Sequence, residues 1–313
     1  MNATYQSNLP IWDRKSSIRS RPRRILKPEQ KTEYFYPLTR QPLAIHPLVT
    51  ARGEEAICFV LTHTVYKFMN DIAILETEVV NKGALMIAHD HLNINFPEFM
   101  RHDALSIIID EAYHAYVAID YLKQVEDLTG VRRLAIPGDT TVLLAMNYIK
   151  TKLPVKLHNL FDLIAVCIGE HVLTKDLISI GKDTNVGEFF KVIMADHVLD
   201  EGRHAIFFAN TFEIVWAWMD EAAKNAIGTL LPVFMKEYLR QDIQKKYDEN
   251  ILIALGLTSA EVNTVINDSY VDVCNPGLNI NNPVMINLIT LLQRIHVLDH
   301  ENTRQAFAAY KVI

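Results

Sequence analysis

Apolar positions return at helix spacing through most of this chain, and no stretch alternates as a strand would. From Glu54 to about Ala88 no proline occurs and only Gly83 interrupts the pattern, which predicts one long helix. Pro97-Glu98 opens a second, running to about Leu128 and closed by Thr129-Gly130. A loop at Pro137-Gly138-Asp139 leads to a helical stretch from Thr140 to Lys152. Pro154 starts a third long helix that ends near Gly181, and Gly187-Glu188 a fourth that reaches about Asp220. Further helical segments are expected at about 222–247, 259–267 and 284–311, with a loop at Asn275-Pro276-Gly277. Pro10, Pro22, Pro28, Pro37, Pro42 and Pro47 mark residues 1–50 as an irregular arm with one short helix. The prediction is an all-α fold, with an N-terminal arm over 1–50 and a single helical-bundle domain over 51–313.

Composition agrees with that picture and removes several function classes. The chain has 313 residues, half of them hydrophobic, with only 11 Gly and 12 Pro. That suits long helices around a sizeable core and disfavours a turn-rich sandwich or barrel. A net charge of −6 gives no sign of nucleic-acid binding. No apolar run reaches membrane-spanning length, and the N-terminus lacks the apolar stretch of a secretory signal. Cys58, Cys167 and Cys274 form no CxxC pair, so a reducing cytoplasm is expected. The basic segment from Arg14 to Lys31 reads as an extended arm lying over the body or over a partner subunit.

The chemistry lies in two copies of Asp-Glu-x-x-His, at Asp110-Glu111-Ala112-Tyr113-His114 and Asp200-Glu201-Gly202-Arg203-His204. Each puts a carboxylate and an imidazole at i and i+3, on one face of a predicted helix. Glu-x-x-His alone would arise by chance about 0.7 times in a chain of this composition; the preceding Asp lowers that to about 0.04. Glu76 lies upstream of the first copy and Glu170 upstream of the second. Four Glu and two His in this order form the donor pattern of a carboxylate-bridged two-metal site inside a four-helix bundle, with the metal-binding core over about 54–220. Oxygen and imidazole donors suit iron or manganese, and four carboxylates neutralise two Fe(II) ions in a dry interior.

Three further residues sharpen the pattern. His197 stands four before Glu201 and seven before His204 on the same helix face, which makes it a seventh candidate ligand. Asp110 and Asp200 are assigned to accept the outer N–H of a ligand histidine on another helix. Arg203 is expected to balance charge against one of these aspartates. Other metal-friendly residues are discounted. Glu78 lies about 200° around the helix from the buried face, and His171 about 100° from Glu170. His89 and His91, with Asp90, sit near a helix end and face solvent. Cys167 reads as a packed thiol, and Tyr113 points off the ligand stripe.

With 34 residues between Glu76 and Glu111, 30 between Glu170 and Glu201, and His197 added, the series closely resembles the AurF-type di-iron N-oxygenases, the p-aminobenzoate N-oxygenase family. That family carries two Glu…Asp-Glu-x-x-His motifs and one additional histidine ligand. The resemblance implies a homodimer with a ferritin-like core. It implies two iron ions that use O2 to convert a primary amine to hydroxylamine, nitroso or nitro product through a peroxo-diferric species, with electrons from an external reductase. The substrate is expected to be a small-molecule amine or a carrier-tethered aminoacyl group. Arylamine members hold the substrate carboxylate with a basic residue from the C-terminal region; Arg294, in an otherwise apolar segment, is the candidate here, against the alternative of a structural salt bridge. Competing readings are a di-iron C–H hydroxylase or desaturase-type oxidase, which needs no seventh ligand, and a non-enzymatic iron-binding protein.

Overall fold

Each of the four long helices begins where the sequence marks it. Helix Glu98–Thr129 (α7) follows Pro97 at its N-cap, takes Glu98 in its first turn, and stops at Gly130, whose φ of 74° is the left-handed cap that glycine adopts without strain. Helix Glu188–Trp218 (α10) starts after Gly187 with Glu188 in its first turn. Pro154 opens a 3-10 turn over Val155–Leu157 that runs into His158–Gly181 (α9). Glu54–Leu75 (α5) begins with Glu54 and Glu55 against the positive end of the helix dipole.

The computed structural model describes residues 6–181, 183–270, 278 and 282–313. The expected loop at Asn275-Pro276-Gly277, with Cys274, lies outside them. The remaining helices are Leu9–Lys15 (α1), Ser17–Ser20 (α2), Pro42–Ile45 (α3), Pro47–Thr50 (α4), Asn81–Ala88 (α6), Thr141–Lys150 (α8), Glu221–Gly228 (α11), Leu231–Tyr238 (α12), Asp242–Ala254 (α13), Ser259–Ser269 (α14), Pro283–Arg294 (α15) and Glu301–Ala309 (α16). The fold is all-α, with no strand among the described residues. No helix among them is long and apolar enough to cross a membrane.

Several boundaries differ from the sequence expectation. The helix predicted over 54–88 is α5 and α6 joined by a π turn at Glu76–Val80, where Thr77 Oγ1 donates to the Ala73 carbonyl at 2.7 Å. The segment expected at 222–247 is not one helix: α11 ends at Gly228, and Pro232 sits in the first turn of α12, where its missing N–H does no harm. The segment at 284–311 breaks at His296, whose φ of 63° is left-handed. The described residues of the arm hold four short helices and two 3-10 turns instead of one helix.

Two helix pairs form the bundle: α5 and α6 pack on α7, and α9 packs on α10. Contacts of α7 with α10, and of α9 with α6 and the π turn, join the pairs. One apolar cluster contains Val79, Ile107, Ile168 and Phe207; the other contains Ile72, Ala115, Leu177 and Met194. On the π turn and on α7, α9 and α10 the motif residues fall between members of these clusters, so a polar layer is closed at both ends by packed apolar side chains. That is the environment in which unpaired charge is costly and a cation is favoured.

Candidate metal centre

The seven sequence-predicted donors converge in this layer, every one of them buried. Glu76, Glu111, His114, His197 and Glu201 offer ligand atoms all within 4.8 Å of one another; Glu111, Glu170, Glu201 and His204 form a second such group. Glu111 and Glu201 belong to both. The geometry is therefore two adjacent donor pockets with shared carboxylates, one with two imidazoles and one with a single imidazole.

Histidine orientation is set across the bundle. His114 Nε2 lies 3.2 Å from Asp200 Oδ2, and His204 Nε2 lies 3.3 Å from Asp110 Oδ2. A carboxylate accepts only, so the proton sits on Nε2 in each ring and Nδ1 faces the centre. There His114 Nδ1 stands 2.7 Å from Glu111 and 3.4 Å from Glu201, while His204 Nδ1 stands 2.7 Å from Glu111 and 3.4 Å from Glu201. His197 uses its other nitrogen: Nε2 is 3.0 Å from Glu201 and 3.4 Å from Glu76, and its ring lies 4.0 Å from that of His114. Arg203 pairs with Asp200 by a short contact and reaches Asp110 at 3.4 Å, so it balances both aspartates and not one.

The chemistry of the donor set fits a pair of cations. Glu76 Oε2, Glu111 Oε1 and His204 Nδ1 are buried without a hydrogen-bond partner among the described residues, although Glu111 Oε1 and His204 Nδ1 are only 2.7 Å apart. Other donor atoms are bridged by imidazole protons, His114 Nδ1 to Glu111 and His197 Nε2 to Glu201. Electrostatics say the same. Burial, then the charge of Glu111, pushes Glu76 up to about 8. Burial, then Glu201 and Glu111, raises Glu170 well above the carboxylate range. Burial opposes charge on His114, yet hydrogen bonds to Asp200, Glu111 and Glu201 hold it well above the ordinary histidine value. Burial likewise opposes charge on Glu201, which His204 and the surrounding imidazole hydrogen bonds hold well below its usual value. Protons thus supply positive charge that metal ions would replace.

Other candidates fall elsewhere. Glu78 is exposed and pairs with Lys82. His89 and His91 are exposed and stacked on each other. Cys167 is buried, its thiol raised by burial. Arg294 is a correction: it is exposed in the last turn of α15, where a helix C-terminus favours a cation, and it is not among the residues that line the cleft at His114. Its apolar neighbours are on the face of α15 that Arg294 does not share. Tyr113 lies outside both donor groups and lines a cleft beside His114.

That cleft encloses about 650 Å³ including its open mouth. Its lining includes His114 and His197 from the donor layer, apolar Met69, Ile72, Ile193 and Met194, and Arg21, Arg23 and Arg24 from the arm. The arginines are held by carboxylates: Arg21 and Arg24 reach Asp196 at 3.3 and 2.7 Å, and Arg23 reaches Asp120 at 2.7 Å. Sequence reasoning missed these residues; the only signal was the density of Arg and Lys between Arg14 and Lys31.

Comparison with known proteins points the same way. The family described as P-aminobenzoate N-oxygenase AurF matches residues 21–255, well over half of the chain. Among curated proteins, a 4-aminobenzoate N-oxygenase from Streptomyces thioluteus is 20% identical over 227 residues, spanning 72% of this chain and 67% of the relative.

Proposed function

Because the chain belongs to the p-aminobenzoate N-oxygenase AurF family, we propose that it is an O2-dependent oxygenase of a primary amine. In this reading two iron ions are held by Glu76, Glu111, His114, Glu170, His197, Glu201 and His204. The observation that carries it is the pair of donor groups sharing Glu111 and Glu201. When bound, the irons supply O2 activation and the storage of two electrons. Each oxidation consumes the amine, O2, two electrons and two protons, and yields hydroxylamine and water: an N–O bond forms as the O–O bond breaks. Repetition leads to nitroso and nitro stages. An external reductase delivers the electrons.

The chain's own part is binding, orientation and exclusion of water. Amine approach is along the cleft, so the nitrogen meets the centre on the side of His114 and His197. Met69, Ile72, Ile193 and Met194 line the cleft with apolar side chains. The three arm guanidinium groups outnumber the two carboxylates, Asp120 and Asp196, that hold them, a balance that suits an amine whose far end is anionic. Leu105, Ile109, Tyr116 and Ile119 leave an exposed apolar stripe on α7, with Leu199 and Ile206 on α10; this supports a homodimer through that face.

The experiment is anaerobic loading with Fe(II), then O2, a chemical reductant and a panel of arylamines, amino acids and carrier-tethered aminoacyl groups. Two irons per chain and an N-oxidised product carry the proposal. Two irons with oxidation only at carbon would assign the site to C–H chemistry, and absence of iron binding would remove the di-iron reading altogether.

A further inference from the structure

The arm is fastened along α7 in register. Ser7 Oγ and the Asn8 N–H donate to Asp103, Trp12 Nε1 and Ser16 Oγ to Asp110, Arg23 to Asp120, and the Leu26 N–H to Gln124. At the level of the donor layer it does more than cover the bundle. Trp12 Nε1 donates to Asp110 Oδ2 at 2.9 Å and Ser16 Oγ to Asp110 Oδ1 at 2.5 Å. One residue on, the Ser17 N–H donates to both oxygens of Asp200, at 3.1 and 3.3 Å. Ser16, Asp110 and Asp200 are all 0% exposed, so no water competes for these acceptors.

We propose that Trp12, Ser16 and Ser17 are positioning residues of the metal centre, with their effects divided between its two halves. This rests on the reading that the donor layer holds two metal ions. Trp12 and Ser16 fix Asp110, which orients His204 in the pocket of Glu170. The Ser17 N–H fixes Asp200, which orients His114 in the pocket of Glu76 and His197. A carboxylate held at both oxygens is restrained from swinging, and the imidazole it holds keeps its proton on Nε2 and its Nδ1 toward the metal. The arm thus reaches both metal pockets through partners on opposite helices, α7 and α10.

The division makes the idea testable without turnover. Trp12→Phe and Ser16→Ala each delete one donor to Asp110. Ser17→Pro deletes the N–H to Asp200 at the first position of α2, where proline fits and where the preceding Ser16 already has an extended ψ of 136°. Ser17→Ala keeps the N–H and serves as control, since the Ser17 Oγ is buried without a hydrogen-bond partner among the described residues. Each is made in the full chain and in two single-pocket backgrounds, Glu76→Ala and Glu170→Ala. The readout is Co(II) titrated anaerobically and followed by its visible bands, with circular dichroism to confirm folding.

In Glu76→Ala, Trp12→Phe and Ser16→Ala should weaken Co(II) binding about 10- to 100-fold and Ser17→Pro should not; in Glu170→Ala the pattern reverses. Ser17→Ala should match its parent in both. Folded variants that bind Co(II) like their parents overturn the inference, and so does equal weakening of both pockets by every arm variant, which would make the arm a mere cover. Wild-type protein that binds no metal would instead sink the two-metal reading on which the inference stands.

Discussion

Glu111 on α7 and Glu201 on α10 each belong to both donor groups, so each carboxylate stands between the two places a cation would occupy. Glu76 and Glu170 belong to one group apiece. Removing a shared carboxylate and removing a terminal one should therefore differ in stoichiometry. Glu201→Ala should abolish tight binding of both iron equivalents, and Glu76→Ala or Glu170→Ala only one. Colorimetric iron counts after anaerobic loading and desalting give the answer. A single equivalent retained by Glu201→Ala would mean that Glu201 is not shared.

His197 distinguishes a seven-donor centre from a six-donor one. Its Nε2 lies 3.4 Å from Glu76 and 3.0 Å from Glu201, within the group that excludes Glu170. His197→Ala should weaken iron at the Glu76 side at least about tenfold, leaving the Glu170 side occupied. Mössbauer spectra of the iron-loaded wild type should show two inequivalent irons, more alike in the variant. Unchanged affinity and spectra would make His197 a packed neighbour.

Much of this centre was legible because its signals are local. Glu111 with His114, and Glu201 with His204, sit at a fixed helical spacing, and Pro97, Gly130 and Gly187 mark helix ends by backbone sterics. What escaped depends on contacts far apart in sequence. Asp110 was assigned a role, but its donors Trp12 and Ser16 lie 98 and 94 positions away, and a Ser or Trp in an arm carries no signal of its own. The π turn at Glu76–Val80 adds a residue to one turn of the helix, which a helix-period pattern does not record. Arg294 was over-read because an apolar run shows what is near in sequence and not which face the arginine takes.

Gly83 on α6 packs against Val166 on α9. A Cβ there would fall 2.9 Å from both methyl carbons of Val166. Alanine is favoured over glycine by about 1 kcal/mol within a helix, but overpacking typically costs about 1–3 kcal/mol, so Gly83→Ala should destabilise. Val166→Ala in the same chain should recover part of the loss. Urea melts of the single and double variants measure this. Gly83→Ala more stable than wild type would show that the two helices part freely.

Asp248 offers a titration away from the metal centre. It is buried, accepts from Tyr270 Oη at 2.6 Å and from Gln244 Nε2 at 2.8 Å, and burial raises it from 3.8 to about 6 against the opposing effect of those hydrogen bonds and of Lys67. A carboxyl raised in the folded state binds its proton more tightly there than in the unfolded chain. Its contribution is thus most favourable below 3.8 and is lost as pH rises through about 6. That gap corresponds to roughly 3 kcal/mol. Asp248→Asn removes the titration, so wild-type stability minus variant stability should fall by most of this amount, roughly 2 kcal/mol, between pH 4 and pH 7. The subtraction cancels groups such as His63, which burial lowers to about 4 and which acts in the opposite sense. Urea denaturation across that range is the measurement. A difference independent of pH would mean that Tyr270 and Gln244 hold the carboxylate ionised throughout.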